Sequence, residues 1–209
     1  MNTQIGVARI AENQKTQKEQ EILDVASGYF LSHGYKGTSI NAMARDSGIS
    51  KESIYRYFKS KKILFEAVIA KELAEYQGKL QFLDVELESV GLEEALITTA
   101  ESILGVVNVD RTLSLRRLIF HEAVKSPDIG EYYYAVGPQE AYEHLERVFR
   151  YHAPDAGVDA TTLAHYFVAM VLHNRMLQRE CGVLKSMSAR QIRKHCETVT
   201  RDFIAAFIH

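Results

Sequence analysis

Residues 33–65 read HGYKGTSINAMARDSGISKESIYRYFKSKKILF, with two short helix-compatible runs on either side of a glycine. Ser39 and Ser50 each precede a run whose apolar residues recur at helical spacing, so each serine is a candidate N-cap. Gly48 can adopt the left-handed conformation that closes the first run. This order predicts two helices joined by a tight turn, which is a helix-turn-helix motif.

The second helix of the motif, Lys51 to Phe58, has an apolar face and a polar face. Ile54 and Phe58 lie four residues apart and are expected to point into a core, whereas Lys51 and Tyr55 share a different face. Lysine, serine and tyrosine side chains can donate hydrogen bonds to phosphate oxygens, and such contacts orient a protein on a duplex without reading its sequence. The pattern therefore predicts a helix that enters the major groove of DNA.

A longer helix is predicted to begin at Ser60, and its first turn contains Lys61 and Lys62. Cations at this position oppose the positive end of the helix dipole, at a cost of about 0.3–1 kcal/mol each. A bound phosphate would relieve the conflict, because it would accept the free amides and the lysine charge together. The alternative, two solvated lysines without a function, stays open.

The same residues resemble the DNA-binding domain of the TetR/AcrR family of bacterial transcription regulators, over about residues 17–65. The resemblance is carried by Phe30-x-x-x-Gly34-Tyr35, Thr38-Ser39, Ala42-x-Ala44, Gly48-Ile49-Ser50-Lys51, Ile54-Tyr55-x-Tyr57-Phe58 and Lys61-x-x-Leu64-Phe65. It implies contacts with operator DNA, and the predicted DNA-binding residues are Thr38, Ser39, Ser50, Lys51, Ser53, Tyr55, Arg56, Tyr57 and Lys61. Lys62 and Glu52 depart from the commonest form of the motif, which has an acidic and a small residue there.

Composition and charge agree with an intracellular regulator. The formal net charge is −2, but residues 1–65 contain ten Lys or Arg against six Asp or Glu, so the basic part of the chain coincides with the motif. No apolar run is long enough to span a membrane, and the N-terminus lacks the apolar core of a signal peptide. Cys181 and Cys196 lack metal-ligand spacing and are expected to be ordinary buried thiols. We therefore expect a cytoplasmic protein without a cofactor or a membrane partner.

The helical patterning predicts an all-α protein of about nine helices. The expected parts are a flexible N-terminal tail (1–16), the helix-turn-helix domain (17–65) and a ligand-binding and dimerisation domain (66–209). Arg9, Lys15 and Lys18 of the tail offer an alternative role as a basic arm on DNA. Five helices are predicted after Gly91, at about 92–107, 110–125, 128–152, 159–181 and 188–208.

The last two predicted helices carry broad apolar faces that need another layer. A four-helix bundle across a two-fold axis would bury them, and a homodimer would place two recognition helices about 34 Å apart on a palindromic site. The predicted interface residues are Leu163, Phe167, Val171, Ile192, Val199, Phe203 and Phe207. The alternative is that these faces form the core of one protomer.

Aromatic and histidine residues concentrate in the middle of the second domain, as in a pocket with apolar walls and a few polar groups. The candidate ligand residues are His121, Glu122, Tyr133, Tyr134, Tyr142, Tyr166, Met170, His173 and Asn174. Such residues also form ordinary cores, so that alternative stays open. His165 and His173 are eight residues apart and could share a face, but no zinc or di-iron motif occurs, and no metal is predicted.

The resemblance implies a dimeric regulator that binds double-stranded operator DNA, represses transcription and is released by an unidentified small-molecule effector. The alternative is an all-helical small-molecule-binding protein or enzyme that retains the motif. The sequence has no Gly-x-Ser-x-Gly elbow, no His-Glu-x-x-His and no glycine-rich phosphate loop. We therefore predict that the protein is not an enzyme.

Overall fold

A computed structural model describes the backbone of residues 2–77 and 87–208, and the side chains of residues 16–74 and 87–208. These ranges contain ten α-helices and no strand, which confirms the all-α fold class. The chain divides into two compact units, Met1–Glu72 and Leu73–His209. The domain boundaries after residues 16 and 65 remain predictions.

The first unit contains the helix-turn-helix. Its helices are α1 (Asn2–Gly37), α2 (Ile40–Ser47) and α3 (Lys51–Tyr57), and α4 (Lys61–Gln77) begins in it and continues into the second unit. Gly34 has φ 71° and ψ 172°, so the regular helical path of α1 ends at the residue where the sequence predicts the stop.

Serine caps set the starts of the motif helices. Ser39 Oγ accepts a hydrogen bond from the Ala42 amide at 3.4 Å, and Ser50 Oγ accepts one from the Ser53 amide at 3.1 Å. Ser60 Oγ does the same for the amide of residue 63 at the start of α4. Gly48 has φ 71° and ψ 6°, the left-handed conformation that ends α2. The predicted N-caps and the glycine turn are therefore confirmed.

Helix α1 begins at Asn2, whereas the sequence predicts an unpatterned tail over residues 1–16. Residues 2–16 contain no proline, and Gln, Ala, Glu, Lys and Arg are frequent among them, so a helical backbone meets little local resistance. The side chains of Arg9 and Lys15 lie outside the described residues, and Lys18 pairs with Glu21 at 2.7 Å. The flexibility of the tail and its basic-arm role remain predictions.

Aromatic packing holds α1 against α4 in the first unit. Phe30 and Phe65 are both fully buried, and their ring centroids are 4.8 Å apart in an edge-on arrangement. Tyr35 adds a third ring 5.0 Å from Phe65. The buried Ser27 hydroxyl donates to Glu72 Oε1 at 2.6 Å, so a polar link between the same helices accompanies the apolar contacts. These contacts hold α1 and α4 together within the first unit.

The second unit contains a short 3-10 turn, Leu87–Ser89, followed by six helices. They are α5 (Leu92–Val107), α6 (Asp110–Ala123), α7 (Pro127–Val136), α8 (Pro138–His152), α9 (Ala160–Glu180) and α10 (Ala189–Phe207). Its core lies between α5, α8, α9 and α10, where the rings of Phe149, Phe167 and Phe203 pack within 6.3 Å of one another.

The single helix predicted at 128–152 is wrong, because the structure has two helices there. Gly137 has φ −133° and ψ −89°, which is not helical, and it separates α7 from α8. Pro138 occupies the first turn of α8, where its missing N–H is not needed. The number of helices therefore rises from about nine to ten among the described residues.

Helix α9 is interrupted at His173, which has φ 40° and ψ −147°. Among the described non-glycine residues, it is the one with positive φ. Such a conformation costs about 1–3 kcal/mol and persists only where the surrounding packing imposes it. The interruption separates the core-forming first part of α9 from a second part that includes Met176 and Arg179.

The predicted interface residues belong to the core of the protomer. Leu163, Phe167, Val171 and Phe203 have no exposed surface, and Val199 is 9% exposed. Ile192 and Phe207 are partly buried against the same core. These side chains thus take part in the core of one protomer, and a contact of the partly exposed Ile192 and Phe207 with a second copy remains a prediction.

No helix among the described residues is long and apolar enough to cross a membrane.

Candidate nucleic-acid interface and ligand cavity

Helix α3 separates its residues between a core and solvent. Ile54 is 1% exposed and Phe58 is 4% exposed, whereas Tyr55 is 42% exposed and Lys51 and Arg56 are exposed. The apolar pair therefore anchors α3 to its unit. The opposite face, with a phenol and two cations, is open to a ligand, as the sequence predicts.

Local contacts arrange the side chains on this open face. The Arg56 guanidinium donates to Ser53 Oγ at 3.2 Å and lies 5.3 Å from the centre of the Tyr57 ring. Lys51 Nζ lies 5.8 Å from the centre of the Tyr55 ring. These contacts are weak, about 0.5–1 kcal/mol for an exposed cation on a ring, so the cations stay available to an anion.

Ser39, Ser50 and Thr38 differ in their availability. The two serines are exposed, and because their oxygens accept amide hydrogen bonds as N-caps, their hydroxyl hydrogens can still be donated. Thr38 is 2% exposed, and its hydroxyl lies 2.8 Å from the Gly34 carbonyl and 3.1 Å from the Tyr29 carbonyl. The Thr38 hydroxyl thus closes the end of α1, and its burial argues against the predicted contact with DNA.

Lys61 has a defined place beside the turn that follows Gly34. Its ammonium group lies 4.8 Å from the centre of the Tyr35 ring and donates to the Lys36 carbonyl at 3.3 Å. Lys62, the neighbouring cation, lies 3.7 Å from Glu66.

Positive charge dominates the motif. Residues 36–62 contain seven Lys or Arg against one Asp and one Glu. Among the described side chains, no carboxylate lies within ion-pair distance of Lys51, Arg56 or Lys59, while Arg45 pairs with Asp46 at 2.9 Å. An anionic surface such as a phosphate backbone would therefore meet uncompensated cations.

Asp46 also receives a hydrogen bond from the Tyr29 phenol at 2.6 Å. This bond, with a second from Arg45, lowers the pKa of Asp46, and the same bond raises the pKa of Tyr29. The acidic residue of α2 is thus tied to α1 and is held in its charged form, which fixes the position of the turn.

The second unit contains a partly open cavity of about 340 Å³ between α5, α6, α7, α8 and α9. Its walls are mainly aliphatic and aromatic, and the lining residues are Leu73, Ile103, Val106, Val107, Arg116, Phe120, Gly130, Tyr133, Tyr134, Val136, Gly137, Pro138, Ala141, Tyr142, Val168, Leu172 and Met176. This size and this composition are typical of sites for small organic ligands.

Three of the nine predicted ligand residues line the cavity, namely Tyr133, Tyr134 and Tyr142. The other six do not: Met170 packs against the core, Glu122 is buried elsewhere, and the exposed ones are His121, Tyr166, His173 and Asn174. Helical spacing alone does not separate the two groups, because an aromatic or histidine residue on a helix can face either the cavity or solvent.

Arg116 is the cavity residue that sequence reasoning missed most clearly. It is 3% exposed, and it lies on the buried face of α6 with Leu113 and Ile119. Those residues are three positions before and three after it, so a charged residue at an apolar helical position was the available signal. A charge in such a place needs a partner or a ligand.

His165 packs its ring edge-on against Tyr142 at 5.0 Å. Among the side chains that the structure describes, no group of three His, Cys, Asp or Glu residues is placed to hold a metal ion.

Comparison with known proteins matches both units to families of bacterial transcriptional regulators. The family described as "Bacterial regulatory proteins, tetR family" matches residues 22–68, and the family described as "AefR-like transcriptional repressor, C-terminal domain" matches residues 94–208. The regulator AcrR of Shigella flexneri is 29% identical over 157 residues, which are 69% of this chain and 68% of the relative. The repressor AcnR of Corynebacterium glutamicum is 33% identical over 64 residues, 31% of this chain and 34% of the relative.

Two solved structures cover nearly the whole chain. A TetR-family regulator from Mesorhizobium loti has a TM-score of 0.78 at 24% identity and covers 93% of this chain and 98% of its own. The flavonoid-responsive regulator FrrA has a TM-score of 0.76 at 25% identity and covers 92% of this chain and 98% of its own.

Proposed function

Because the chain belongs to the TetR family of bacterial transcriptional regulators, we propose that it is a cytoplasmic repressor without catalytic activity. It binds a palindromic operator as a homodimer, and a small molecule releases it. The observation that carries this function is α3, whose apolar side is buried while Lys51, Tyr55 and Arg56 face solvent in a strongly basic segment.

The exposed face of α3 suits the backbone of a duplex. Lysine and arginine neutralise phosphates, and the hydroxyls of Ser50 and Tyr55 donate to phosphate oxygens. Lys61 adds a cation at the start of α4, where free helix amides favour an anion. These groups position α3 in the major groove, and any reading of base edges falls to side chains at its N-terminal half.

Dimerisation uses the exposed face of α9 rather than the residues buried in the core. Tyr166 is 46% exposed before the interruption at His173, and Leu177 is 61% exposed after it. Exposed large apolar side chains mark a surface for a partner. A second copy that presents the same face would satisfy this requirement by two-fold symmetry.

The cavity of the second unit is the effector site. Leu73, which lines it, belongs to the same helix, α4, as Lys61. A ligand that favours the released state by about 3 kcal/mol would lower operator affinity on the order of 150-fold, and DNA would weaken ligand binding equally. The name of the flavonoid-responsive relative and the tyrosines of the cavity support a ring-bearing effector.

Gel-shift titration of the full chain with the DNA upstream of its own gene tests the proposal. We expect binding that weakens steeply with salt, because several phosphate contacts release counterions. A folded protein that binds a small aromatic probe such as anthracene-1-carboxamide in the cavity, but no DNA, would contradict the proposal. It would favour a small-molecule-binding protein that retains the motif.

A further inference from the structure

The cavity wall contains one charged residue among the lining residues that the structure describes. This is Arg116 on α6, and the other wall residues are aliphatic or aromatic side chains, a methionine, glycines and a proline. Arg116 is 3% exposed, so water does little to screen its charge. Whether the cavity favours an anion therefore depends on what else compensates this guanidinium.

Glu180, which does not line the cavity, forms an ion pair with the Arg116 guanidinium. Arg116 Nε donates to Glu180 Oε1 at 2.7 Å, and Arg116 Nη2 lies 2.5 Å from the same oxygen in ion-pair contact without hydrogen-bond geometry. Glu180 is at the end of α9 and is not among the lining residues. Its other oxygen accepts a hydrogen bond from Arg117 at 3.1 Å, but the Arg117 side chain is 48% exposed and is screened by solvent.

The remaining polar side chains of the wall are the phenols of Tyr133, Tyr134 and Tyr142. Burial raises the pKa of Tyr133, and the nearby Glu180 adds to the rise while Arg116 opposes it. Burial also raises the pKa of Tyr142. Both phenols are thus hydrogen-bonding groups without charge, and they share the wall with the ring of Phe120.

An anionic ligand would meet a guanidinium in this cavity that is already paired with Glu180. A carboxylate placed beside the buried Arg116 would lose much of its hydration and would compete with Glu180 for the guanidinium, which is unfavourable. A neutral ligand with rings keeps the aromatic contacts and can still accept a hydrogen bond from a phenol.

We propose that the cavity selects an uncharged, ring-bearing and largely apolar ligand, and that Glu180 sets this charge selectivity by neutralising Arg116. The proposal rests on the proposed function, since it takes the cavity as the effector site. It makes Glu180 a specificity-determining residue that does not itself touch the ligand.

A matched pair of fluorescent probes tests it, anthracene-1-carboxamide and anthracene-1-carboxylate, which have nearly the same shape and differ in charge. Fluorescence anisotropy gives the affinity of each probe for the full-length wild type and for Glu180→Gln. We expect the wild type to bind the carboxamide at least about tenfold more tightly. Glu180→Gln leaves Arg116 without its counter-charge, so the carboxylate should gain about tenfold or more.

Glu146→Gln is the matched control. The Glu146 side chain is 21% exposed, as is that of Glu180, and it pairs with Arg150 at 2.7 Å on α8 without lining the cavity. It should leave the ratio of the two affinities unchanged. Ala141→Phe, which fills the cavity, should abolish binding of the carboxamide, whereas Ala135→Phe at an exposed position of α7 should not.

The outcomes separate the inference from the proposed function. A wild type that binds the carboxylate as tightly as the carboxamide would overturn the inference, and so would a folded Glu180→Gln protein with an unchanged ratio. The wild-type comparison decides selectivity even where the variant does not fold. If neither probe binds, the cavity is not a site for such ligands and the inference fails with it, while DNA binding in the gel shift stands independently.

Discussion

Thr38 and Ser39 are neighbours that the sequence pattern treats alike, yet the structure gives them opposite environments. Thr38 is 2% exposed and its hydroxyl lies 2.8 Å from the Gly34 carbonyl, whereas Ser39 is exposed and caps α2. Thr38→Val removes the hydroxyl and preserves the shape of the side chain. It should therefore lower stability and leave operator affinity unchanged.

The expected loss follows from the partners of that hydroxyl. Both carbonyls keep another contact after the substitution, because the Thr38 amide donates to the Gly34 carbonyl at 3.2 Å and His33 Nδ1 lies 3.2 Å from the Tyr29 carbonyl. Neither carbonyl is left without a hydrogen-bonding contact. The substitution should therefore cost one ordinary hydrogen bond, about 1 kcal/mol in the free energy of unfolding.

Urea unfolding followed by far-UV circular dichroism measures the stability, and fluorescence anisotropy with labelled DNA measures the affinity. Ser39→Ala is the adjacent control. Its cap bond is long at 3.4 Å, so we expect a loss near 0.5 kcal/mol, together with weaker binding to all DNA sequences alike. A Thr38→Val protein of normal stability that binds DNA poorly would refute the burial argument and restore Thr38 as a phosphate contact.

Three further outcomes follow from buried side chains of both units. Burial, with a smaller effect of Arg147, lowers the pKa of His144 to about 4 from an ordinary 6.5. The folded state then binds fewer protons, so urea unfolding should show stability falling by up to about 1.4 kcal/mol per pH unit from pH 6.5 towards 4, a slope that His144→Gln flattens. Burial raises the pKa of the Cys196 thiol to about 12 and Cys181 is exposed, so Ellman's reagent should titrate one thiol per native chain and two in urea; two in the native state would contradict this burial. Phe65→Ala should cost about 3–5 kcal/mol in thermal unfolding, because Phe65 is fully buried against other rings, and a loss below 1 kcal/mol would disprove that packing.

Local signals made the helix-turn-helix predictable from sequence. The caps at Ser39 and Ser50 and the left-handed turn at Gly48 depend on residues a few positions apart, and each appears where the sequence indicates. The inward and outward faces of α3 follow from helical spacing alone. Near the DNA-binding surface the sequence was therefore informative about individual side chains.

The second unit was harder because its helices pack on more than one side. Phe167 and Phe203 lie on apolar faces that could have met a second copy, but α5 and α8 cover them. Spacing shows that a face is apolar and does not show which partner covers it. Gly137 and Pro138 separate α7 from α8. Both residue types interrupt helices, so this dipeptide was the sequence signal for the break.

The ion pair between Arg116 and Glu180 could not be predicted from the sequence. Arg116 and Glu180 are 64 positions apart, and only the packing of α6 against α9 brings their side chains together. The composition of the cavity follows from the same packing. Its tyrosines could be anticipated as a group, but the charge balance of its wall required the structure.

If the solvent face of α3 binds the phosphates of duplex DNA, the affinity must depend on the salt concentration. Affinity for the upstream DNA is measured at several salt concentrations for the wild type, for Lys51→Ala and for Lys185→Ala, an exposed lysine of the second unit. We predict a steep loss of affinity with salt in the wild type, and a slope lower by about 2 per dimer in Lys51→Ala, since each protomer loses about one phosphate contact. Lys185→Ala should match the wild type. Binding that does not change with salt, or a slope that Lys51→Ala leaves intact, would show that this face of α3 does not bind DNA phosphates.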